Sequence, residues 1–277
     1  IKPVSTIIDT SSQITKDNLK TRIPLPVNKD ELYVLSQNIN NLLDRVENAI
    51  EREKQFTSDA SHELRTPLAV MKGTMEVLIR KPRDQKEYEE KINFCITEVD
   101  RLNHMVDQLL LLARFENQKQ NIKNETIYLN AIILDNLTRF SSKIENKKLK
   151  VNTEFSEDFY IQSDNYLVSI VISNLISNAI KYSNKNGEIN INLVNNNNQI
   201  SFSIADKGIG ISPVDIDKIF NSFYRSDVTN HAEIKGTGLG LSIVKRLCDL
   251  LKIKILVESK INEKTKFVLS FPLAKLK

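Results

Sequence analysis

The stretch Asn174-Leu175-Ile176-Ser177-Asn178-Ala179-Ile180-Lys181-Tyr182-Ser183 decides how the chain is read. It closes a helical pattern over about 164–182. Asn174, Asn178 and Lys181 are spaced 4 and 3, so they share one helix face. Two amides and an ammonium on an otherwise apolar helix are costly unless they meet a polar ligand. A triphosphate with Mg²⁺ suits them, because Mg²⁺ takes oxygen ligands and usually keeps waters and substrate phosphates. The alternative is a solvated Asn-rich face, in a chain that uses Asn heavily.

Two glycine clusters lie downstream. The chain has only 7 glycines, and five of them fall in Asp206-Lys207-Gly208-Ile209-Gly210-Ile211 and Gly236-Thr237-Gly238-Leu239-Gly240-Leu241. The first follows a strand pattern and the second precedes an amphipathic helix. Glycines let backbone approach a phosphate, and a helix start offers free N–H groups. Neither cluster is a Walker sequence. Each by itself could be a tight turn.

Around these motifs the chain alternates strands and helices. Glu188–Leu193 alternates polar and apolar residues, Asn195–Asn198 reads as a turn, and Ile200–Ile204 returns as a second strand. Lys252–Val257 and Lys266–Phe271 form another candidate pair. Helical patterns cover about 130–145, 164–182, 213–220 and 239–251. This is an α+β domain of helices against a mixed sheet, from about 121 to 277.

Upstream the pattern is helical throughout. Ile23-Pro24-Leu25-Pro26 splits residues 1–52 into two helices, since proline inside a helix costs about 3 kcal/mol. The second begins near Asp30-Glu31 with a heptad seam of Leu32, Leu35, Ile39, Leu42, Val46 and Ala49. Residues 53–120 read as a helical hairpin turning at Lys81-Pro82-Arg83-Asp84. Its first arm carries Phe56, Ala60, Leu64, Leu68, Met71, Met75 and Leu78. Its second carries Ile92, Cys95, Val99, Leu102, Val106, Leu109 and Ala113, widened by Ile96, Met105, Leu110 and Leu112. One hairpin cannot cover that surface, so a homodimer forming a four-helix bundle is expected.

Composition excludes several classes. The 277 residues are 27% charged and 40% hydrophobic, so the chain is neither a disordered tail nor a membrane bundle. A net charge of +4 is too small to argue for nucleic acid. Cys95 and Cys248 sit in apolar helical patterns and read as reduced core thiols. No apolar run approaches the roughly 20 residues of a membrane span. Ile1 in first position marks a fragment or a processed chain, so anything upstream, a membrane anchor included, lies outside this sequence.

Asn174–Ser183, Asp206–Ile211, Phe220-Asn221-Ser222-Phe223-Tyr224-Arg225 and Gly236–Leu241 resemble, in order, the N, G1, F and G2 boxes of the sensor histidine kinases. Phe56–Leu68, FTSDASHELRTPL, resembles their phosphoacceptor box, and residues 1–52 resemble a HAMP signal-relay module with Pro3 and Glu31 in the family's places. The similarity covers nearly the whole chain. It implies a HAMP module, a dimeric phosphotransfer hairpin and an α/β-sandwich ATP-binding domain of the type shared with clamp ATPases. It implies autophosphorylation of His62 by Mg-ATP, then transfer to an aspartate on the receiver domain of a response regulator. The setting implied is the cytoplasmic portion of a bacterial-type plasma-membrane protein.

His62 reads as the nucleophile, because a neutral imidazole is nucleophilic near pH 7 where a lysine is protonated. Glu63 can orient the ring or take its proton. Pro67 predicts a bend just past it. Thr66, four residues on, lies on the same face. The phosphatase activity implied by the resemblance would use its hydroxyl to orient a water, unless that hydroxyl simply bonds back to a helix carbonyl. His104 reads as a partly buried bundle histidine and His231 as exposed loop.

For the nucleotide, the resemblance assigns Asn178 to Mg²⁺ and Asn174 and Lys181 to the phosphates. Asp206 takes the adenine amine, Tyr182 and Ile211 pack on the base, and Gly208 and Gly210 admit the purine edge. Phe220–Lys235 becomes a mobile lid anchored by Phe223, with Arg225 on the γ-phosphate. Gly236, Thr237, Gly238, Leu239, Gly240 and Leu241 close over the phosphates. The chain departs from the family at Leu251-Lys252 and Asn262-Glu263-Lys264-Thr265, where many members have glycine turns. Two rival readings remain. A clamp ATPase needs a carboxylate where Asn174 stands. A silent coiled-coil scaffold would be expected to lose the nucleophile or a phosphate-facing group.

Overall fold

The computed structural model describes residues 2–15, 18–117, 122–196, 199–226 and 236–272. The chain divides into two compact units, Ile1–Thr66 and Pro67–Lys277.

In the first unit, α1 (Lys2–Gln13) is followed by an extended connector and then by α2, which starts at Glu31. The Asp30 carboxylate starts α2 by accepting the N–H groups of Leu32 at 3.1 Å and Tyr33 at 3.2 Å. The connector is stitched to α2 by polar groups. The Asn40 amide pairs with both backbone groups of Ile23, at 2.8 and 2.9 Å, and Ile23 is fully buried. Arg22 reaches Asp44 at 2.6 Å and also pairs with Glu47. Neither proline could have supplied those ladder bonds, so the connector depends on this side-chain pairing. Of the predicted seam, Leu35, Leu42, Val46 and Ala49 are exposed in the single chain.

Helix α2 is one continuous element from Glu31 to Leu78, so the second HAMP-like helix and the first hairpin arm share it. It runs on through Pro67. In the second unit the hairpin returns as α3 (Gln85–Asn117). Asp84 caps α3 by accepting the Glu87 N–H at 2.7 Å, and Arg83 pairs with Glu87.

The predicted stripe on α3 divides in two. Cys95, Met105 and Leu112 are buried, while Ile92, Ile96, Val99, Val106 and Leu110 are exposed. His104 is also exposed in the single chain, not partly buried as expected. Cys95 and Cys248 are buried free thiols, and burial pushes the Cys248 thiol up to about 12.

The α+β part begins with β1 (Glu125–Tyr128), α4 (Leu129–Arg139), α5 (Ser141–Lys147), β2 (Lys150–Phe155), β3 (Tyr160–Ser163) and α6 (Asn165–Tyr182). It continues with β4 (Glu188–Asn196), β5 (Gln199–Asp206), α7 (Gly240–Leu251), β6 (Lys254–Lys260) and β7 (Lys264–Ser270). Five strands form one sheet in the order β2-β4-β5-β7-β6, parallel only between β2 and β4. β1 and β3 make a separate antiparallel pair.

Ile189, Ile191 and Leu193 on β4, and Phe202 and Ile204 on β5, are all 1% exposed or less. They form the inner face under α6 and α7. A side chain of that size contributes roughly 1.5–3 kcal/mol when fully buried. Asp164 caps α6 through the Leu167 N–H at 3.1 Å.

Two expected helices differ. Residues 213–220 form consecutive turns, with Lys218 N–H bonding the Asp215 carbonyl at 2.8 Å, because the short segment has little apolar surface to hold a longer helix. The helix expected over 130–145 breaks at Phe140, whose backbone (φ −97°, ψ 6°) caps α4 and starts α5. The turns that lack the family's glycines still use left-handed backbone, at Lys252 (φ 58°) and Asn262 (φ 58°).

A two-part cavity between α6 and the glycine loops

Helix α6 buries Leu167, Val171, Ile172, Leu175 and Ile176 against the sheet, which turns Asn174, Asn178 and Lys181 the other way. These three residues line a cavity of ≈ 670 Å³. Gly236, Thr237, Gly238 and Gly240 line it from the loop before α7, and Arg225 lines it from the segment after residue 220. A second cavity of ≈ 510 Å³ is lined by Asp206, Gly210, Ile211, Thr265 and Phe267. Asn178, Tyr182, Ile219, Tyr224, Arg225 and Leu241 line both, so the two spaces share one wall. One space is cationic and amide-rich. The other sets apolar side chains such as Ile209, Ile211 and Phe267 beside the carboxylates of Asp206 and Asp215.

Asp206 is 4% exposed, and its Oδ1 is buried without a hydrogen-bond partner. Burial raises its carboxyl to about 7. An unpartnered buried acceptor is costly and calls for a donor. The Lys181 ammonium is lowered to about 8, first by burial and then by Arg225 and Arg101. It lies 5.1 Å from the centre of the Tyr182 ring. Its Nζ also lies 2.0 Å from where a Gly236 Cβ would stand, so a side chain there would displace the cation. Gly240 sits against the Asn174 amide in the same way.

Three of the clustered glycines are required by backbone, among them Gly210, where φ is +72° and a Cβ would stand 2.3 Å from the Lys260 carbonyl oxygen. Gly238 has φ +71°, its carbonyl accepts the Phe223 N–H at 3.0 Å, and a Cβ would strike the Phe223 backbone. At Gly208 a Cβ would meet the Tyr182 carbonyl at 2.1 Å. Its missing side chain makes room for the end of α6, to which it bridges through Ser183.

Most of the predicted residues meet at these cavities. Gly208, Phe223 and Leu239 line neither among the described residues. Leu239 is fully buried, and its N–H bonds the Thr237 hydroxyl at 3.3 Å. Residues 227–235 of the expected lid, with His231, lie outside the described residues.

Several contributors had no motif to reveal them. The Lys147 ammonium, from α5, donates to the carbonyls of Ile180, Lys181 and Ser183 at 2.8–3.0 Å, which ties down the open end of α6. Arg101, His104 and Gln108 of α3 also line the larger cavity, and Gln108 accepts from the Thr237 hydroxyl at 2.8 Å. Such contacts come from residues far apart in sequence, and nothing in the basic run Lys147-Lys148-Leu149-Lys150 singles out Lys147.

In the first unit, His62 is exposed and Glu63 half-buried. The Thr66 hydroxyl donates to the His62 carbonyl at 3.1 Å, so the back-bonded alternative describes its donor. Among the described residues no group of three or more His, Cys, Asp or Glu could hold a metal ion. No helix among them is long and apolar enough to cross a membrane.

Comparison with known proteins assigns three family matches. Residues 163–275 match the histidine kinase-, DNA gyrase B- and HSP90-like ATPase domain, residues 52–118 the His kinase A phosphoacceptor domain, and residues 1–48 the HAMP domain. The chain is 29% identical over 272 residues to the signal transduction histidine-protein kinase ArlS of Staphylococcus epidermidis, covering 98% of this chain and 59% of that protein. ArlS of Staphylococcus aureus is 30% identical over 283 residues, covering 98% and 60%. The chain thus spans about three fifths of the length of the curated relatives it matches.

Among solved structures, the Acinetobacter baumannii histidine kinase AdeS matches with a TM-score of 0.63 at 25% identity, over 77% of this chain and 98% of that one. Histidine kinase ThkA, solved in complex with response regulator protein TrrA, shares the fold with a TM-score of 0.64 at 21% identity, over 83% and 66%. With its HAMP, phosphoacceptor and ATPase-type segments in that order, the chain belongs to the sensor histidine kinases.

Proposed function

We propose that the chain binds Mg-ATP in the two-part cavity and transfers the γ-phosphoryl group to His62, then to an aspartate of a response regulator. The observation that carries the reading is the shared wall of the cavities. A cationic, amide-lined space on one side suits phosphates, and on the other the unpartnered Asp206 oxygen beside Ile211 and Phe267 suits a base with an exocyclic amine. Asp206 accepts that amine, while Tyr182 and Ile211 pack on the ring. Asn174 and Lys181 attend the phosphates, Arg225 stabilises charge on the γ-phosphate, and the 236–241 loop covers them. The Asn178 amide oxygen would hold Mg²⁺, a hard cation that takes oxygen ligands and would offset phosphate charge.

In the transfer the P–O bond to the leaving ADP breaks as a P–N bond to the imidazole forms. Glu63 orients the ring or accepts its proton. The exposed stripe on α3 supports a homodimer. Residues 1–52 relay the signal, 53–120 carry the phosphohistidine and 121–277 bind the nucleotide. ThkA's complex with a regulator supports a receiver domain as partner, and the HAMP match supports attachment to a membrane through upstream segments.

Incubation with Mg-ATP labelled at the γ-phosphate tests the reading. Acid-labile, base-stable label on the chain, absent from His62→Gln, is the expected result, with nucleotide binding kept. Free phosphate with an unlabelled chain would favour a clamp ATPase. Thr66 keeps hydroxyl lone pairs for a water even while it donates to the His62 carbonyl. Thr66→Ala is therefore expected to retain self-labelling and to slow loss of phosphate from a donor-free phosphorylated regulator. An unchanged rate would leave Thr66 a purely structural residue.

A further inference from the structure

The short segment that carries Arg225 is held by a carboxylate that no motif assigns. Tyr224 donates its phenol to Asp215 Oδ1 at 2.7 Å, and Ser226 donates its hydroxyl to Asp215 Oδ2. The two donors flank Arg225, so one carboxylate grips the chain on both sides of it. Asp215 is itself anchored in the turns after Ser212. Its N–H bonds the Ser212 carbonyl at 2.9 Å, and its carbonyl accepts from Lys218 and Ile219. On the other side, Phe223 adopts φ 63° and its N–H bonds the Gly238 carbonyl. The chain is therefore held by Asp215 on both sides of Arg225 and by Gly238 on its N-terminal side, and Arg225 stands in the wall shared by both cavities.

We propose that Asp215 is a positioning residue that holds Arg225 at the junction of the two cavities, where its guanidinium meets the terminal phosphate of the nucleotide. The proposal rests on the nucleotide reading given above. Both carboxylate oxygens take charge-assisted hydrogen bonds, which are shorter and stronger than neutral ones and lose strength when the acceptor becomes a neutral amide. Asp215→Asn keeps the size of the side chain but turns one acceptor into a donor facing a hydroxyl. Asp215 lines the cavity that holds Asp206 but not the one that holds Lys181 and Asn174, so any effect on the phosphates passes through Arg225.

The test has two arms on the whole chain. In the first, trypsin digestion without nucleotide reads whether the segment is held, by the rate of cleavage after Arg225. Asp215→Asn is expected to raise that rate while cleavage at lysines in β6 and β7 stays slow. An unchanged rate would overturn the clasp.

In the second arm, fluorescent-nucleotide competition gives the affinities for ATP and for ADP in wild type, Asp215→Asn, Arg225→Ala and the double variant. Asp215→Asn is expected to lower the ATP-to-ADP affinity ratio by about tenfold, the size of a lost charged hydrogen bond, and to add nothing once Arg225 is gone. Equal loss for both nucleotides would make Asp215 merely structural, and additive losses would show that it does not act through Arg225. A wild type that binds neither nucleotide would remove the proposed function, and the phosphate role of Asp215 with it, leaving only the trypsin result to judge the clasp.

Discussion

The helical arms and the α+β part treat their apolar residues in opposite ways. β4 and β5 close their inner face almost completely, with Ile191, Leu193 and Phe202 at 0% exposure. On α3, Ile92, Ile96 and Leu110 each remain more than half exposed, and Val99 and Val106 more than two fifths. The first pattern belongs to a fold that completes its own core. The second belongs to a surface that needs another chain, because a contiguous apolar stripe on a soluble helix is unfavourable without a partner. In the function proposed above, nucleotide binding would sit on a self-sufficient scaffold and the nucleophile on a hairpin completed by a second chain.

The strongest way to break this contrast is to charge the stripe. Val99→Glu with Val106→Glu is expected to convert a dimer to a monomer by light scattering at micromolar concentration, with the nucleotide affinity unchanged. A wild-type chain that is already monomeric would refute the division of labour.

A smaller effect is expected inside the cavity. Asn178→Ala should weaken Mg-ATP binding by about tenfold or more, as loss of a hydrogen-bonding group at a charged ligand does, without changing the mass of the dimer. Asn184→Ala is the control, since that exposed side chain makes only a 3.4 Å contact to the Lys207 carbonyl. Equal losses at both positions would sink the helix-face argument.

The mildest effect is a pH profile. Asp206, raised to about 7, accepts the base amine only when ionised, so binding falls as the pH drops below that value. Lys181, lowered to about 8, holds phosphate only when protonated, so binding falls again above it. Affinity should peak between the two pH values by several-fold, since one full titration step shifts affinity roughly tenfold per pH unit at most. Asp206→Asn should erase the acid limb and Lys181→Met the alkaline one. A flat profile would mean that neither group titrates against the ligand.

Much of the site was legible because its residues come in short local patterns. The 4-3 spacing of Asn174, Asn178 and Lys181 needs only helix geometry to become a face, and α6 presents it as expected. The glycine clusters were legible as loops, although only the neighbouring backbone explains why Gly208 must lack a side chain. Residues 213–220 misled because an apolar spacing over so few residues fits turns as well as a helix. β1, β2 and β3 went unnoticed because they are short and carry little alternation, and their pairing with distant strands is what defines them.

By itself the sequence determined the order of helical and α+β segments, the split at the prolines and the α6 face. All of these depend on periodicity, turn chemistry or residue type within a few positions. Only the tertiary structure decided which side of α3 turns inward, that Asn40 and Arg22 stitch the connector to α2, and that Lys147 ties the end of α6. It alone decided that Asp206 is buried with an unpartnered oxygen and that Asp215 grips both neighbours of Arg225. Those facts depend on groups that meet across long stretches of chain. Burial and pairing at such distances follow from how the whole domain packs, and no local pattern encodes them.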